Sequence, residues 1–276
     1  MVTARESIVR WLLAAVAVVA LVGVPDAAMA APAPIPISSS SCPAVLTQGE
    51  KDGCVTSLQT LLNSYYARLT IDGDFGSNTL AATKNYQAGQ GLAVDGQVGP
   101  ATKTSLERTK PTPPTGLPTG GGASTIVAHA TAIQNGAAES GWRGGQISYA
   151  WGGGHGSATG PSAGTCSGYT GSISPCPAAV TTGLDCSGLS RWVYKLAFGS
   201  DVLGGGTADS QMHELTKVSA ANAVPGDLVF FGTTAHVHHV GIFVGNGKMI
   251  NALQTGTLVR TDSVARSDLV GYFHRP

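Results

Sequence analysis

Apolar residues recur at every third or fourth position in "CVTSLQTLLNSYYARL", at Val55, Leu58, Leu61, Leu62 and Tyr65, which predicts an amphipathic helix. The same spacing returns in "LDCSGLSRWVYKLA", at Leu189, Trp192, Val193 and Leu196, and predicts a helix that starts at Cys186 or Ser187 with Asp185 as its cap. In "AHVHHVGIFVGNGKMINA" the period is two. Alternation puts Val237, His239, Gly241 and Phe243 on one strand face and His236, His238, Val240, Ile242 and Val244 on the other. An uncharged run from Trp11 to Val24 follows Arg5 and Arg10 and precedes Pro25 and the small-residue site Ala28-Met29-Ala30. That is the layout of a secretory signal peptide cleaved after Ala30. At about fourteen residues the run is shorter than the roughly 20 a membrane span needs, so no stable span is expected after cleavage.

Between these elements the pattern breaks the chain into parts. After the expected signal peptide (1–30) comes a Pro/Ser-rich leader (31–41), then a compact helical segment (42–109) with a weak internal repeat. "IDGDFGSNTLAATKNYQ" and "VDGQVGPATKTSLE" both hold Asp-Gly-x-apolar-Gly, with Thr79 or Thr102 three residues after the second glycine. The glycines suit a tight turn with positive φ, and the polar residues after it are expected to cap the next helix. "KPTPPTGLPTGGG" (110–122) reads as a linker that tethers two domains without fixing their orientation. Residues 123–276 form the second domain, the one that carries chemistry.

Lys plus Arg equals Asp plus Glu, 16 of each, so no global field favours nucleic acid or an anionic membrane surface. Any partner is recognised by a site. The five cysteines are an odd count in an exported chain, which suggests disulfides and one leftover thiol. Cys42 and Cys54 flank one short loop, and Cys166 and Cys176 another. Local pairing of those sets leaves Cys186 alone, although spacing by itself does not fix connectivity.

A thiol at a helix start lies where unsatisfied N–H groups favour an anion, which predicts a lowered pKa and a nucleophilic thiolate. Of seven histidines, His239 is best placed as its base, because Gly241 beside it leaves room for a helix end to approach. His236 and His238 share the opposite face; a zinc site built from them with Cys186 and His155 would straddle the strand, so no metal and no cofactor is expected. Asn251 is the candidate third group that orients the imidazole. A strict two-residue Asn246-Gly247 hairpin would pair Ile242 with Asn251 and send Asn251 to the wrong face. A longer loop or a bulge would pair Gly241 with Asn251 and bring it within diagonal reach of His239.

The doubled Asp-Gly-x-apolar-Gly segment resembles the small three-helix peptidoglycan-binding domain of secreted cell-wall enzymes. "YAWGGG", "DCSGL", "PGDLVFF" and "HHVGIFVGNGKMINA", in that order, resemble the NlpC-type cysteine peptidases of the bacterial cell wall. The resemblance implies an α+β, papain-like catalytic domain, its cysteine helix packed on an antiparallel sheet, preceded by a small all-α domain. It implies Cys186 as nucleophile, His239 as base and Asn251 as the third polar residue, with Tyr149, Trp151, Asp185 and Ser187 binding substrate. It further implies a secreted or wall-associated monomer that hydrolyses stem-peptide amides of peptidoglycan, often at the γ-D-glutamyl link to a diamino acid. A muramoyl-L-alanine amidase and a non-catalytic wall-binding protein are the competing readings. Two features depart from the family pattern: Asn251 stands where histidine is common, and residues 155–180 add a long loop before the cysteine.

Overall fold

The computed structural model describes residues 30–65, 67–108 and 122–275. The expected signal peptide, but for Ala30, and the expected linker, but for Gly122, lie outside the described residues. No helix among the described residues is long and apolar enough to cross a membrane.

The N-terminal part is three helices, α1 (Gly53–Ser64), α2 (Ser77–Gly89) and α3 (Pro100–Leu106). Asp52 caps α1, accepting from the backbone N–H of Cys54 at 2.8 Å and of Val55 at 3.0 Å. Val55, Leu58 and Leu62 are buried as the spacing predicts, while Leu61 and Tyr65 sit half-buried at the edge of the same core. The internal repeat is a pair of matching hydrogen-bond clasps. Gln59 Nε2 donates to Asp72 Oδ1, the Asp74 carbonyl and Thr79 Oγ1, and its Oε1 accepts from Gly73 N. Gln87 repeats this with Asp95, the Gln97 carbonyl, Thr102 and Gly96 N. Gly73 and Gly96 take φ of 73° and 77°, which a side chain would oppose. The expected side-chain caps are absent: Gly76 and Gly99 are the N-caps of α2 and α3, and the threonine hydroxyls bond the glutamines instead. Cys42 and Cys54 form a disulfide.

The second part opens with α4 (Ala123–Gln134) and a small sheet in which β1 (Ser148–Tyr149) runs parallel, and β2 (Ser162–Ala163) antiparallel, to β3 (Thr182–Leu184). Helices α5 (Cys186–Phe198) and α6 (Ala208–His213) follow. Six strands complete it: β4 (Thr216–Val218), β5 (Leu228–Thr233), β6 (His236–Gly245), β7 (Lys248–Asn251), β8 (Arg260–Ser263) and β9 (Leu269–His274). They make one antiparallel sheet in the order β4-β9-β5-β6-β7-β8. Ile126 and Ile133 of α4 and Trp192 and Val193 of α5 pack on Phe230, Val240 and Ile242 from one side of this sheet. Val229, Phe231, Phe243, Met249 and Val264 form a smaller core on the other side. Trp192 is fully buried and its indole N–H donates to the Ser140 carbonyl at 3.1 Å, so its truncation to alanine should cost about 3–5 kcal/mol.

The two parts do not behave as freely tethered bodies. Arg68 N donates to the Val180 carbonyl at 2.7 Å, Ala67 bridges Thr181, and Asn85 Nδ2 donates to Thr181 Oγ1 at 3.3 Å. Lys84 Nζ reaches the Ser174 carbonyl, and Val180 is buried in the core of the helical part. The joint is the end of the long loop, which the Cys166–Cys176 disulfide staples. Linker composition describes only the covalent connection, and these surface contacts set the orientation. A cavity of about 320 Å³ lies at the junction, lined among others by Tyr65, Tyr86, Gln146, Ser148, Thr181 and Leu258; neither Cys186 nor His239 lines it.

Candidate active site

Cys186 is the free cysteine and the first residue of α5, partly exposed. Asp185 caps the helix, accepting from Gly188 N at 2.8 Å. Close backbone approach explains the glycines on either side. A Cβ on Gly188 would collide with the Gly153 carbonyl, and a Cβ on Gly153 would come within 2.6 Å of the Gly183 carbonyl. The glycine run after Trp151 therefore seats the start of α5 directly on the small sheet.

The β6–β7 hairpin provides the second element. Gly245 pairs with Lys248 around a two-residue Asn246-Gly247 turn with φ of 51° and 66°, and a bulge at Val244 then sets Phe243 against Met249 and Ile242 against Ile250. The next step of the ladder brings Asn251 opposite Gly241 and diagonal to His239, the register that the longer loop or bulge was required to produce. His239 Nε2 lies 2.9 Å from Asn251 Oδ1. Two expectations about this strand are corrected. A second bulge opposes two residues of β6 to Gly232, so Val237 turns into the core with Val240 and Ile242 and does not share the face of His239. The space over Gly241 is filled by Met249, whose sulfur would clash with any Cβ there, and not by a helix end.

Asn251 is itself held. Its Nδ2 donates to Asp262 Oδ2 at 2.9 Å and faces the Arg260 carbonyl at 3.4 Å, and both of those groups only accept. Its Oδ1 must therefore face the imidazole, and Nε2 of His239 must carry the proton it donates. That leaves Nδ1 as the basic nitrogen. Asp262, paired through its other oxygen with Arg260, is a residue sequence reasoning missed. Strand parity alone would have marked it as a neighbour only once the β7–β8 register, Met249 against Asp262, was known.

Electrostatics at Cys186 run against the expected thiolate. Burial, and then the Asp185 carboxylate, push the Cys186 thiol up to about 12, outweighing the backbone N–H groups of Val240, Ser187 and Cys186 that favour the anion. Burial pushes His239 down to about 4 against the hydrogen bond to Asn251, with Arg266 adding to the fall. Phe231 lies 5.7 Å from the His239 ring, and the Arg266 guanidinium covers Phe231 at 4.5 Å. Both shifts favour the neutral forms, a thiol and an unprotonated imidazole.

The expected substrate-binding residues divide. Tyr149 is buried beside Cys186, and that burial, with the charges of Cys186 and Asp185, raises its pKa. Trp151 donates its indole N–H to the Ser167 carbonyl at 3.0 Å and so ties the site to the stapled loop. Ser187 is buried and spends its hydroxyl on Asp185 Oδ1 at 3.1 Å, so it presents little to a ligand. His155, from the long loop, sits 2.8 Å and 2.9 Å from the two Asp185 oxygens. His238 pairs with Asp268 at 3.2 Å on the exposed face of β6. Among the described residues no group of three or more His, Cys, Asp or Glu is arranged to hold a metal ion.

Residues 145–270 match the NlpC/P60 family, and residues 52–106 match a peptidoglycan binding domain family. Over those residues the second part of this chain is similar to the NlpC/P60 family. A probable endopeptidase p60 of Listeria seeligeri is 42% identical over 95 residues, which is 33% of this chain and 17% of that protein. Peptidoglycan endopeptidase RipA of Mycolicibacterium smegmatis is 33% identical over 129 residues, 47% of this chain and 23% of that protein. The chain thus spans less than a quarter of the length of either relative. RipD of Mycobacterium tuberculosis, described as a non-catalytic NlpC/p60 domain protein adapted to peptidoglycan binding, overlays with TM-score 0.41 at 23% identity over 55% of this chain and 95% of that one. The second part is mixed α+β with an antiparallel sheet, and the part before it is helical.

Proposed function

We propose that this chain is a secreted, monomeric cysteine endopeptidase that hydrolyses stem-peptide amides of peptidoglycan, at the γ-D-glutamyl link to a diamino acid, without a cofactor. Cys186 is the nucleophile, His239 the base and Asn251 the residue that orients it. The observation that carries this reading is the hydrogen bond from His239 Nε2 to an Asn251 whose amide orientation Asp262 fixes, because it leaves Nδ1 as the base. The matched peptidoglycan-binding family supports wall recognition by the helical part.

The mechanism runs from a neutral pair. With the thiol raised and the imidazole lowered, His239 takes the Cys186 proton as the sulfur attacks the amide carbonyl, so charge appears only along the reaction. Backbone N–H groups at the start of α5, with Tyr149 beside them, receive the developing oxyanion. The imidazolium then protonates the leaving amine, and water releases the acyl-enzyme. The stapled loop, held through Trp151, shapes the cleft.

Mass analysis of muropeptides released from purified wall by the full chain and by Cys186→Ala tests this. Stem peptides cut between D-glutamate and the diamino acid are expected from the wild type, with a loss of about 10⁴-fold or more in the variant. Intact stems with free L-alanine would replace the endopeptidase by an amidase. Equal digestion by both proteins would exclude Cys186 as nucleophile, and no digestion by either would leave a wall-binding protein.

A further inference from the structure

His155 has no role in the chemistry above, yet both of its ring nitrogens face acceptors. Nδ1 lies 3.0 Å from the Gly205 carbonyl, and Nε2 lies 2.8 Å and 2.9 Å from Asp185 Oδ1 and Oδ2. A neutral imidazole carries one N–H and satisfies one acceptor, so this geometry requires the imidazolium. The charged groups around the ring are Asp185, which favours the cation, and Arg191 of α5, which opposes it while spending its own guanidinium on Asp201 and on the Gly154 and Gly156 carbonyls. Burial also opposes the cation, and the Asp185 hydrogen bond outweighs it, holding His155 above its ordinary value.

The consequence falls on Asp185. Its oxygens receive Gly188 N, Ser187 Oγ and His155 Nε2, and its charge is matched inside the protein by a ring that is only partly exposed. A bare carboxylate adjoining the nucleophile would select an ammonium group on the substrate; this one is already neutralised. We infer that His155 is a specificity-determining residue, closing the Asp185 subsite to a free amino terminus and tuning the cleft to stem peptides whose amino end is acylated, as it is in intact wall. The inference rests on the endopeptidase reading.

Two tripeptide probes, L-alanyl-γ-D-glutamyl-diamino acid with a free amino end and the same peptide N-acetylated, decide it. The full chain should cleave the acetylated probe with the higher kcat/KM. His155→Ala should move the ratio toward the free-amine probe by about tenfold or more, through a new ammonium to carboxylate hydrogen bond. A ratio unchanged within about twofold, with both probes still cleaved, overturns the inference. NMR titration of His155 in the wild type stands apart from turnover: the ring should titrate above pH 6.5, and a midpoint at or below that value overturns the inference even if the variant does not fold. Cleavage of neither probe, with His155 still cationic, strikes the endopeptidase reading and not the state of the ring.

Discussion

Two histidines of the proposed site, His239 and His155, are built in opposite ways. His239 comes from the middle of a sheet, is 4% exposed and leans on a neutral amide, so burial governs it and the ring is neutral. His155 comes from a loop, keeps an exposed edge and bonds a carboxylate, so the partner governs it and the ring is a cation. Identical side chains are driven toward a neutral ring and toward a positive charge according to whether desolvation or a counter-ion prevails. The contrast also orders the tasks proposed for them, because only a neutral ring could accept the Cys186 proton in the proposed mechanism.

The sharpest contrast between them should appear on deletion. His239→Ala removes the base and should lower kcat on wall fragments by about 10³-fold or more, whereas His155→Ala should leave kcat on the preferred fragment within about tenfold. Steady-state kinetics on one defined muropeptide compares the two directly, and equal losses would abolish the division of roles. Asn251→Leu comes next. It leaves the ring in place without its acceptor, and should cost about 10²-fold in kcat with little change in KM.

The pH dependence separates the two rings further. His239 is lowered on folding, so its contribution to stability is present above its unfolded value near 6.5 and is lost as pH falls from there to about 4. A shift of that size corresponds to about 3 kcal/mol, measurable as a fall in Tm across the window. His155 is raised, so its contribution is present below 6.5 and is lost as pH rises through its folded value. The acid limb of kcat/KM should lie near pH 4, since only neutral His239 acts as base. Asn251→Asp places a carboxylate on Nε2 and should move that limb upward. A limb near 6.5 in the wild type would mean that burial does not control the ring.

Much of this was legible in the chain. The start of α5, its Asp185 cap and the odd thiol followed from spacing and count, and the need for a bulge before Asn251 followed from strand parity. Several features were not legible, for physical reasons. The shift of Cys186 depends on how much water three-dimensional packing removes, which no window around "DCSGL" records. The second bulge at Gly232 reversed the face of Val237 because the alternation of β6 alone says nothing about its partner strand. The clasps of Gln59 and Gln87 turned a repeat read as helix-capping into a device that pins two turns from a neighbouring helix. His155 stands thirty residues before Asp185, and nothing in the spacing of the long loop marks it as that carboxylate's partner.

The smallest expected effect comes from Asp262, which touches neither Cys186 nor the imidazole. A flipped Asn251 amide would set its oxygen against the Asp262 carboxylate and the Arg260 carbonyl, and would aim its NH₂ at His239 Nε2. That arrangement asks Nε2 to accept and so drives the proton to Nδ1, where it disables the base. The carboxylate therefore acts through repulsion of the wrong orientation as much as through the bond it receives. Asp262→Asn offers the flipped amide a donor, and a minor wrong-tautomer population should lower kcat by a few-fold, about two to ten, with KM unchanged. A merely structural role would depress stability without altering the tautomer, so the nitrogen chemical shifts of His239 are the deciding readout. Mixed Nδ1–H and Nε2–H signatures are expected in the variant and a single Nε2–H form in the wild type; a variant that keeps the single form would remove Asp262 from the mechanism and leave the tautomer to Asn251 alone.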